Sequence, residues 1–500
     1  MTDKLPNFMI DTLFKENPDL LIEHQVESYN DFFDKGINKI FKEKNPIRIM
    51  KNQDSKTGNF LLQCNLYLGG KNGDKVYYGK PIIFDDNREH FMFPNEARLR
   101  NMTYGITIHY DVEVEYFITN EGDDVSEKPS KVEELSRIFL GRFPIMLMSN
   151  LCVLKGLDPQ VRFEMGECKN EPGGYFILDG KEKCIVSQEK FADNMLYIRE
   201  NISDLYSLSA DIRSVSEDTS KPIRSLSIKM IAPGLEYSNE NIVVVLPNVR
   251  KPIPLFITMR ALGIISDKDI IETCLLDLED NVDFIDHFRP SIHDNGEIFT
   301  QEIALKYIAT FTKGKSVAHT LEILTDYFLP HIGEMNFKDK AYFLGYMVLE
   351  MLKVKLKQNK PTDRDSFRFK RVETPGYLIS ELFNEYYTLQ LRDIYKKIDK
   401  EYYYRNTQYQ SDFTILIQSN YKEFFKDKIV EKGIRDGFKG NWGSNANTKR
   451  LGIVQGLNRL SHNSMLSHLR KLNLPLDASA KVIGPRLLHG SQWGIIDPLD

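Results

Sequence analysis

Gly173-Gly174-Tyr175-Phe176-Ile177-Leu178-Asp179-Gly180-Lys181-Glu182-Lys183-Cys184-Ile185-Val186 decides the fold class. Asp179-Gly180 is a two-residue pair that accepts the positive φ angles of a tight hairpin turn. It joins the strands Tyr175–Leu178 and Lys181–Val186. Gly173 and Gly174 permit the preceding turn after Pro172, and Tyr175 and Phe176 are bulky enough to bury, so the stretch is architectural. Outward from it, Gly105–Ile118 alternates. Ile106, Ile108, Tyr110, Val112, Val114 and Tyr116 share one face, with Glu113 and Glu115 on the other. Phe60–Leu68 and Lys75–Ile83 flank Gly69–Asp74, where Asn72-Gly73 predicts a second hairpin. Ser225–Ile231 is another strand, and Glu121–Lys131 reads as a polar loop.

Helical spacing takes over elsewhere. Asn17–Phe41 carries apolar residues near a 3.6 period, and 267–357 is mainly helical. Its last helix, Lys338–Lys355, presents Tyr342, Tyr346, Leu349, Leu352 and Val354 as a core stripe. Tyr377–Tyr402 is helical again, and a basic, glycine-punctuated segment follows from Gly433. The reading is α+β and multidomain; 500 residues correspond to about three domains.

Composition excludes several classes. With 41% hydrophobic and 27% charged residues the chain is too apolar for disorder. Its longest apolar stretch is far short of a membrane span, and its first residues lack a signal-peptide core. The five cysteines are scattered, without zinc-knuckle spacing, and read as reduced, buried packing residues of an intracellular protein. Net charge is −5, but between Gly440 and Gly490 seven bases face the single acid Asp477, a local net of +6. Such a segment fits either a polyanion surface or a solvated face. No phosphate-binding GxxxxGK[ST], HExxH or GxSxG motif occurs, and Asp363 and Asp365 are the nearest approach to a carboxylate cluster. By motif alone the chain is a non-catalytic binding scaffold.

A collinear series of motifs resembles the second-largest subunit of multisubunit DNA-directed RNA polymerases, the counterpart of the bacterial β subunit. It begins at His24-Gln25 with Ser28-Tyr29-Asn30, then Pro94 with Glu96-Ala97-Arg98-Leu99-Arg100-Asn101, then Gly141-Arg142-Phe143-Pro144. It continues through Gly173-Gly174-Tyr175-Phe176, Arg260-Ala261-Leu262-Gly263, Asp363-Arg364-Asp365 and Gly440-Asn441-Trp442-Gly443. The densest part holds Gln455, Leu457-Asn458-Arg459, Leu466-Ser467-His468-Leu469-Arg470-Lys471, Pro485-Arg486, Leu488-His489 and Trp493-Gly494. The matches favour the archaeal, eukaryotic and large-DNA-virus branch. Ile496-Asp497-Pro498-Leu499-Asp500 departs from the cellular C-P-x-E-T-P-E-G pattern and leans toward the viral members.

The resemblance implies a mixed helix/strand protrusion (1–195 and 356–435), an inserted, mainly helical lobe (196–355) and an incomplete C-terminal fork (436–500). The family continues for about as many residues again, so the chain is expected to be a fragment, a split-gene product or a truncated form. Template DNA, nascent RNA, the largest subunit and smaller assembly subunits are the implied partners, with no membrane. Two magnesium ions serve the reaction, the aspartates for the first belonging to the largest subunit; zinc is expected only in the missing C-terminal part. No catalytic residue and no metal ligand is expected in this chain. Nucleic acid is expected to meet Lys449, Arg450, Gln455, Asn458, Arg459, Arg470, Lys471, Lys481 and Arg486. Arginines would grip phosphates bidentately and the amides would reach sugar or base edges. Asp477-Ala478-Ser479-Ala480 would be a loop at the downstream junction. His468, His489, Trp442 and Arg98 read as structural. The alternative is a non-enzymatic nucleic-acid-binding scaffold derived from such a subunit.

Overall fold

The computed structural model describes residues 4–17, 19–53, 58–85, 88–119, 128–217, 223–233, 240–445, 448–474 and 489–493. They fall into two units, one of residues 4–190 and 372–474, the other of 191–371 and 489–493. Helices and strands are mixed in both, in keeping with the α+β reading, and the second unit, expected to be mainly helical, also carries a five-stranded sheet. Most of the polar loop expected at Glu121–Lys131 lies outside the described residues, as do Lys481, Arg486, the 477–480 loop and Ile496–Asp500.

The first unit is organised on Gly105–Ile118. All six of its predicted inward residues are buried. Its other face is not simply solvated: Glu113 pairs with Lys75 at 2.7 Å, and Glu115 pairs with Lys71 at 2.5 Å. Lys131–Pro144 pairs along one edge of this strand with two register shifts. Those bulges, with Arg137 at φ +54°, blur its alternation and hid it from periodicity.

The other edge corrects an expectation. Phe60–Leu68 and Val76–Tyr78 do not pair with each other; both pair with Gly105–Ile118, one after the other along the same edge. Residues 69–75 are therefore an excursion within one interrupted strand, closed by Gly69 N–H to Asp111 O (2.7 Å) and Asp111 N–H to Lys75 O (3.1 Å). The excursion folds onto the helix Ile37–Lys44: a Cβ on Gly73 would lie 2.4 Å from Asn38 O. Beyond Gly79, the chain opens a separate pair, Ile82–Asp85 with Arg88–Phe91.

Two helical runs cover the sheet. Glu23–Asp31 and Ile37–Lys44 are joined through a π-turn at Phe32–Gly36, and the long helix Pro375–Tyr404 crosses them. The crossing needs glycine: a Cβ on Gly376 would stand 1.7 Å from the Ser28 carbonyl, whose side-chain Oγ accepts from Gly376 N–H at 3.2 Å. Behind it Phe41, Phe143, Phe383 and Tyr387 form an aromatic core, with Phe383 and Tyr387 stacked at 5.5 Å.

The second unit opens with a five-stranded antiparallel meander: Leu196–Ser203, Tyr206–Ser214, Arg224–Ile231, Ile242–Val245 and Ile253–Pro254. Helices follow, ending in Phe337–Lys355. Leu349, Leu352 and Val354 are buried there as expected, but Tyr342 and Tyr346 are 45% and 40% exposed. The inward stripe runs instead through Ala341, Leu344, Val348 and Met351, because Gly345 seats the helix against Thr273. Arg260 is buried and brackets this unit, donating to Ile265 O at 3.1 Å and pairing with Asp267. Cys64, Cys152, Cys184 and Cys274 are buried; Cys168 is exposed, contrary to expectation, in the irregular stretch before Gly173.

Replacing Gly376 by Ala should force the two helical runs apart and lower stability by about 3 kcal/mol or more. Denaturant unfolding of the variant checks this; a midpoint equal to that of the parent would contradict the packing described.

Candidate nucleic-acid interface

The basic segment 449–474 is built into the first unit at three points. The first is a short strand, Val454–Gly456, that adds to the Asp179-Gly180 hairpin by pairing with 183–185. The hairpin itself forms as read, Phe176–Leu178 against Lys181–Ile185, with Asp179 at φ 47° and Gly180 at φ 75°. The second is the helix His462–Arg470, capped at its start by Ser461 Oγ, which accepts from Ser464 N–H. Its C-terminal carbonyls lack helical partners. Gln25 Nε2 donates to Leu469 O at 2.6 Å, and His24 Nε2 lies 3.3 Å from the same oxygen. Gln25 Nε2 also lies 3.3 Å from Ile185 O, so the His24-Gln25 motif ties helix end to hairpin.

The third point is a charge network. Arg459 donates to both Glu182 oxygens, at 2.7 and 2.9 Å, and to Tyr175 Oη at 2.8 Å. Arg98 meets the same Glu182 at 2.8 Å and Tyr175 Oη at 2.8 Å, and forks onto Glu167 at 2.7 and 2.9 Å. Glu171 completes the group, 3.7 Å from Arg459. Burial alone would raise the Glu182 carboxyl, but the hydrogen bond and charge of Arg459, reinforced by Arg98, outweigh it and hold the pKa below the ordinary value. The arginines are thus paired and hydrogen-bonded, the condition under which partly buried charge is tolerated.

The expected binding residues divide accordingly. Arg450 pairs with Glu373 at 2.5 Å and approaches Glu381 at 3.8 Å. Gln455 Nε2 donates to Gly452 O at 2.8 Å, and its Oε1 faces His468 Nε2 at 3.1 Å. Asn458 N–H donates to His468 Nδ1 at 3.1 Å, and Asn458 Oδ1 accepts from Leu460 N–H at 2.9 Å. Burial and the Lys471 charge lower the His468 pKa, favouring the neutral ring these contacts need. Arg470 is exposed and donates through one Nη1 to Leu21 O at 2.7 Å. Lys449 and Lys471 are exposed and form no ion pair among the described residues. Asn473 Nδ2 and Gln455 Nε2 both reach Gly452 O, so the Lys449–Arg450 and Arg470–Lys471 stretches flank one junction. Trp442 is buried against Phe438, as expected of packing. Elsewhere, in the second unit, His489 meets Asp363 at 2.8 Å and caps Ser491 N–H.

Glu167 and Glu171, which complete the network, were not singled out from the sequence; Glu182 was legible only as part of the hairpin motif. Glu182 stands two residues after the Asp179-Gly180 turn. Among the described residues no group of three or more His, Cys, Asp or Glu side chains is placed to hold a metal ion. No described helix is long and apolar enough to cross a membrane.

Glu182→Gln should cost about 2 kcal/mol at neutral pH, less than a fully buried pair because 20% of the side chain is exposed. A depressed carboxyl pKa stabilises the fold above its ordinary 4.5, and the contribution is lost as pH falls through the depressed value. Denaturant unfolding between about pH 5 and pH 3 should therefore show a shallower acid loss for the variant than for the parent.

The family profile described as RNA polymerase beta subunit matches residues 20–421, and that described as RNA polymerase Rpb2, domain 3, matches residues 455–500. The chain is 34% identical over 447 residues to DNA-directed RNA polymerase II subunit RPB2 of Schizosaccharomyces pombe, covering 86% of this chain and 36% of that one. To DNA-directed RNA polymerase II subunit 2 of Arabidopsis thaliana it is 31% identical over 499 residues, covering 96% and 40%. To the DNA-directed RNA polymerase subunit Rpo2N of Methanocaldococcus jannaschii it is 29% identical over 501 residues, covering 98% and 90%. It thus spans 36–40% of the length of these eukaryotic relatives and most of the archaeal one. With its motifs in order through both units, the chain belongs to the RNA polymerase beta subunit family.

Proposed function

We propose that this chain is the N-terminal part of the second-largest subunit of a DNA-directed RNA polymerase, lining one side of the DNA cleft without performing the chemistry. The observation that carries the reading is the family match across 20–421 and 455–500. The proposed layout is a protrusion from 1–195 and 356–435, a lobe from 196–355 and a fork beginning at 436. The partners are the largest subunit, smaller assembly subunits, template DNA and nascent RNA, and the location is intracellular.

In the assembled enzyme an RNA 3′ hydroxyl attacks the α-phosphate of a nucleoside triphosphate and displaces pyrophosphate; magnesium would supply charge stabilisation when bound and is assigned to the largest subunit. Zinc is assigned to a later part of the family's sequence. This chain's residues bind and position. Lys449, Arg470 and Lys471 present exposed charge to phosphates beside the hybrid or downstream fork, with Lys481 and Arg486 completing the basic run. Arg450, Gln455, Asn458 and Arg459 act on nucleic acid indirectly, through the intramolecular contacts that fix the segment's shape.

Co-expression with the largest and remaining subunits should give a complex that extends a primed RNA on DNA with magnesium. A fully assembled complex that never extends RNA would overturn the proposal. Within the complex, replacing Lys449 and Lys471 together by Ala should reduce the slope of log binding constant against log salt by about 2. Fluorescence anisotropy with a labelled nucleic-acid scaffold reads this; an unchanged slope removes both lysines from the interface.

A further inference from the structure

We propose that the second unit carries a pocket for a phosphate monoester, built by Arg213, Arg364 and the Tyr197 hydroxyl on the outer face of its sheet. Strand alternation creates the face. Ile198, Ala210, Ile212, Leu226 and Ile228 point into the core, so the intervening residues point away from it. The register then lines up Tyr197 with Asp211 and Ser227, and Arg213 with Ser225. With Arg364 these residues bound a cavity of about 270 Å³.

Its charge is positive and available. Asp211 is already engaged, accepting from Arg199 Nε at 2.7 Å and Ser209 Oγ at 2.6 Å. Neither Arg213 nor Arg364 forms an ion pair with a carboxylate among the described residues. Arg364 is held over two rings, 5.0 Å from the Phe191 centroid and 5.4 Å from that of Tyr197, which fixes its planar fork at the cavity. Burial raises the Tyr197 phenol, with Arg364, Arg371 and Arg213 acting against it and Asp193 with it, so these charges converge on one hydroxyl.

That hydroxyl is the second observation. Tyr197 is 7% exposed, and its Oη has no hydrogen-bond partner among the described residues. A buried donor left unpaired is costly, and an acceptor oxygen in the cavity would relieve it. Two guanidinium forks, a phenol and the Ser225 and Ser227 hydroxyls offer more donors than one carboxylate can accept. They suit a tetrahedral oxyanion with several terminal oxygens.

The test uses the full chain and inorganic phosphate, followed by calorimetry and ³¹P line broadening. Phosphate should bind, sulfate should compete, and chloride at equal ionic strength should not. Arg213→Gln and Arg364→Gln should each weaken phosphate about tenfold. Tyr197→Phe, which keeps the ring packed on Phe369, should weaken it about fivefold with unchanged thermal unfolding. A 5′-phosphorylated trinucleotide binding more tightly than its 5′-hydroxyl counterpart and than free phosphate would identify the ligand as a nucleic-acid end. Free phosphate binding as tightly as the phosphorylated trinucleotide would identify it as a small phosphate ester. Phosphate binding no better than chloride, or equally to the parent and the Arg213→Gln/Arg364→Gln double variant, overturns the site.

Discussion

Glu182 is shared by two arginines, and the first unit's architecture around the basic segment depends on that sharing. Arg98 brings the helix Pro94–Leu99, Arg459 brings the segment leading to His462–Arg470, and the hairpin supplies the carboxylate itself. The Tyr175 hydroxyl oxygen accepts from the same pair of guanidiniums, while its ring lies 5.0 Å from Arg459. Removing two arginines and three glutamates partly from water is favourable only when every charge finds a partner of good geometry. The network meets that condition, so it fixes position more than it adds stability. The hairpin turn, the glycine pair before it and the short strand at Val454–Gly456 are the scaffold that brings its members within reach.

A basic sequence segment and a basic surface are different things. Of the bases between 449 and 471, Arg450 and Arg459 are neutralised by Glu373 and Glu182, and Arg470 spends one donor on a backbone carbonyl. Arg459 is still 40% exposed, but the exposed bases without an ion pair among the described residues are a smaller set, Lys449, Lys471 and Arg470. Several motif residues also have partners inside the chain. Gln455, Asn458 and His468 form a closed hydrogen-bonded group, and His24-Gln25 terminates a helix hundreds of residues away.

Much of the architecture was legible because it rests on local rules. The Asp179-Gly180 turn, the alternation of Gly105–Ile118 and the inward aliphatics of Phe337–Lys355 follow from backbone sterics and burial period alone. Local rules failed where a neighbour in space overrode them. Asn72-Gly73 looked like a hairpin turn, yet a helix claims Gly73 and the flanking strands share a third. Lys131–Pro144 lost its alternation to bulges, and Tyr342 and Tyr346 turned outward because Gly345 set the rotation of their helix.

The amino-acid sequence by itself determined the α+β class, the principal turns, the family and the location of the positive charge, since each is written in residue type and spacing. Only the tertiary structure decided which of those charges are consumed inside the chain. Arg459 and Glu182 are 277 residues apart, and no periodicity connects them. Ion pairing depends on distance and solvent exposure after folding, quantities that a linear order of side chains does not contain.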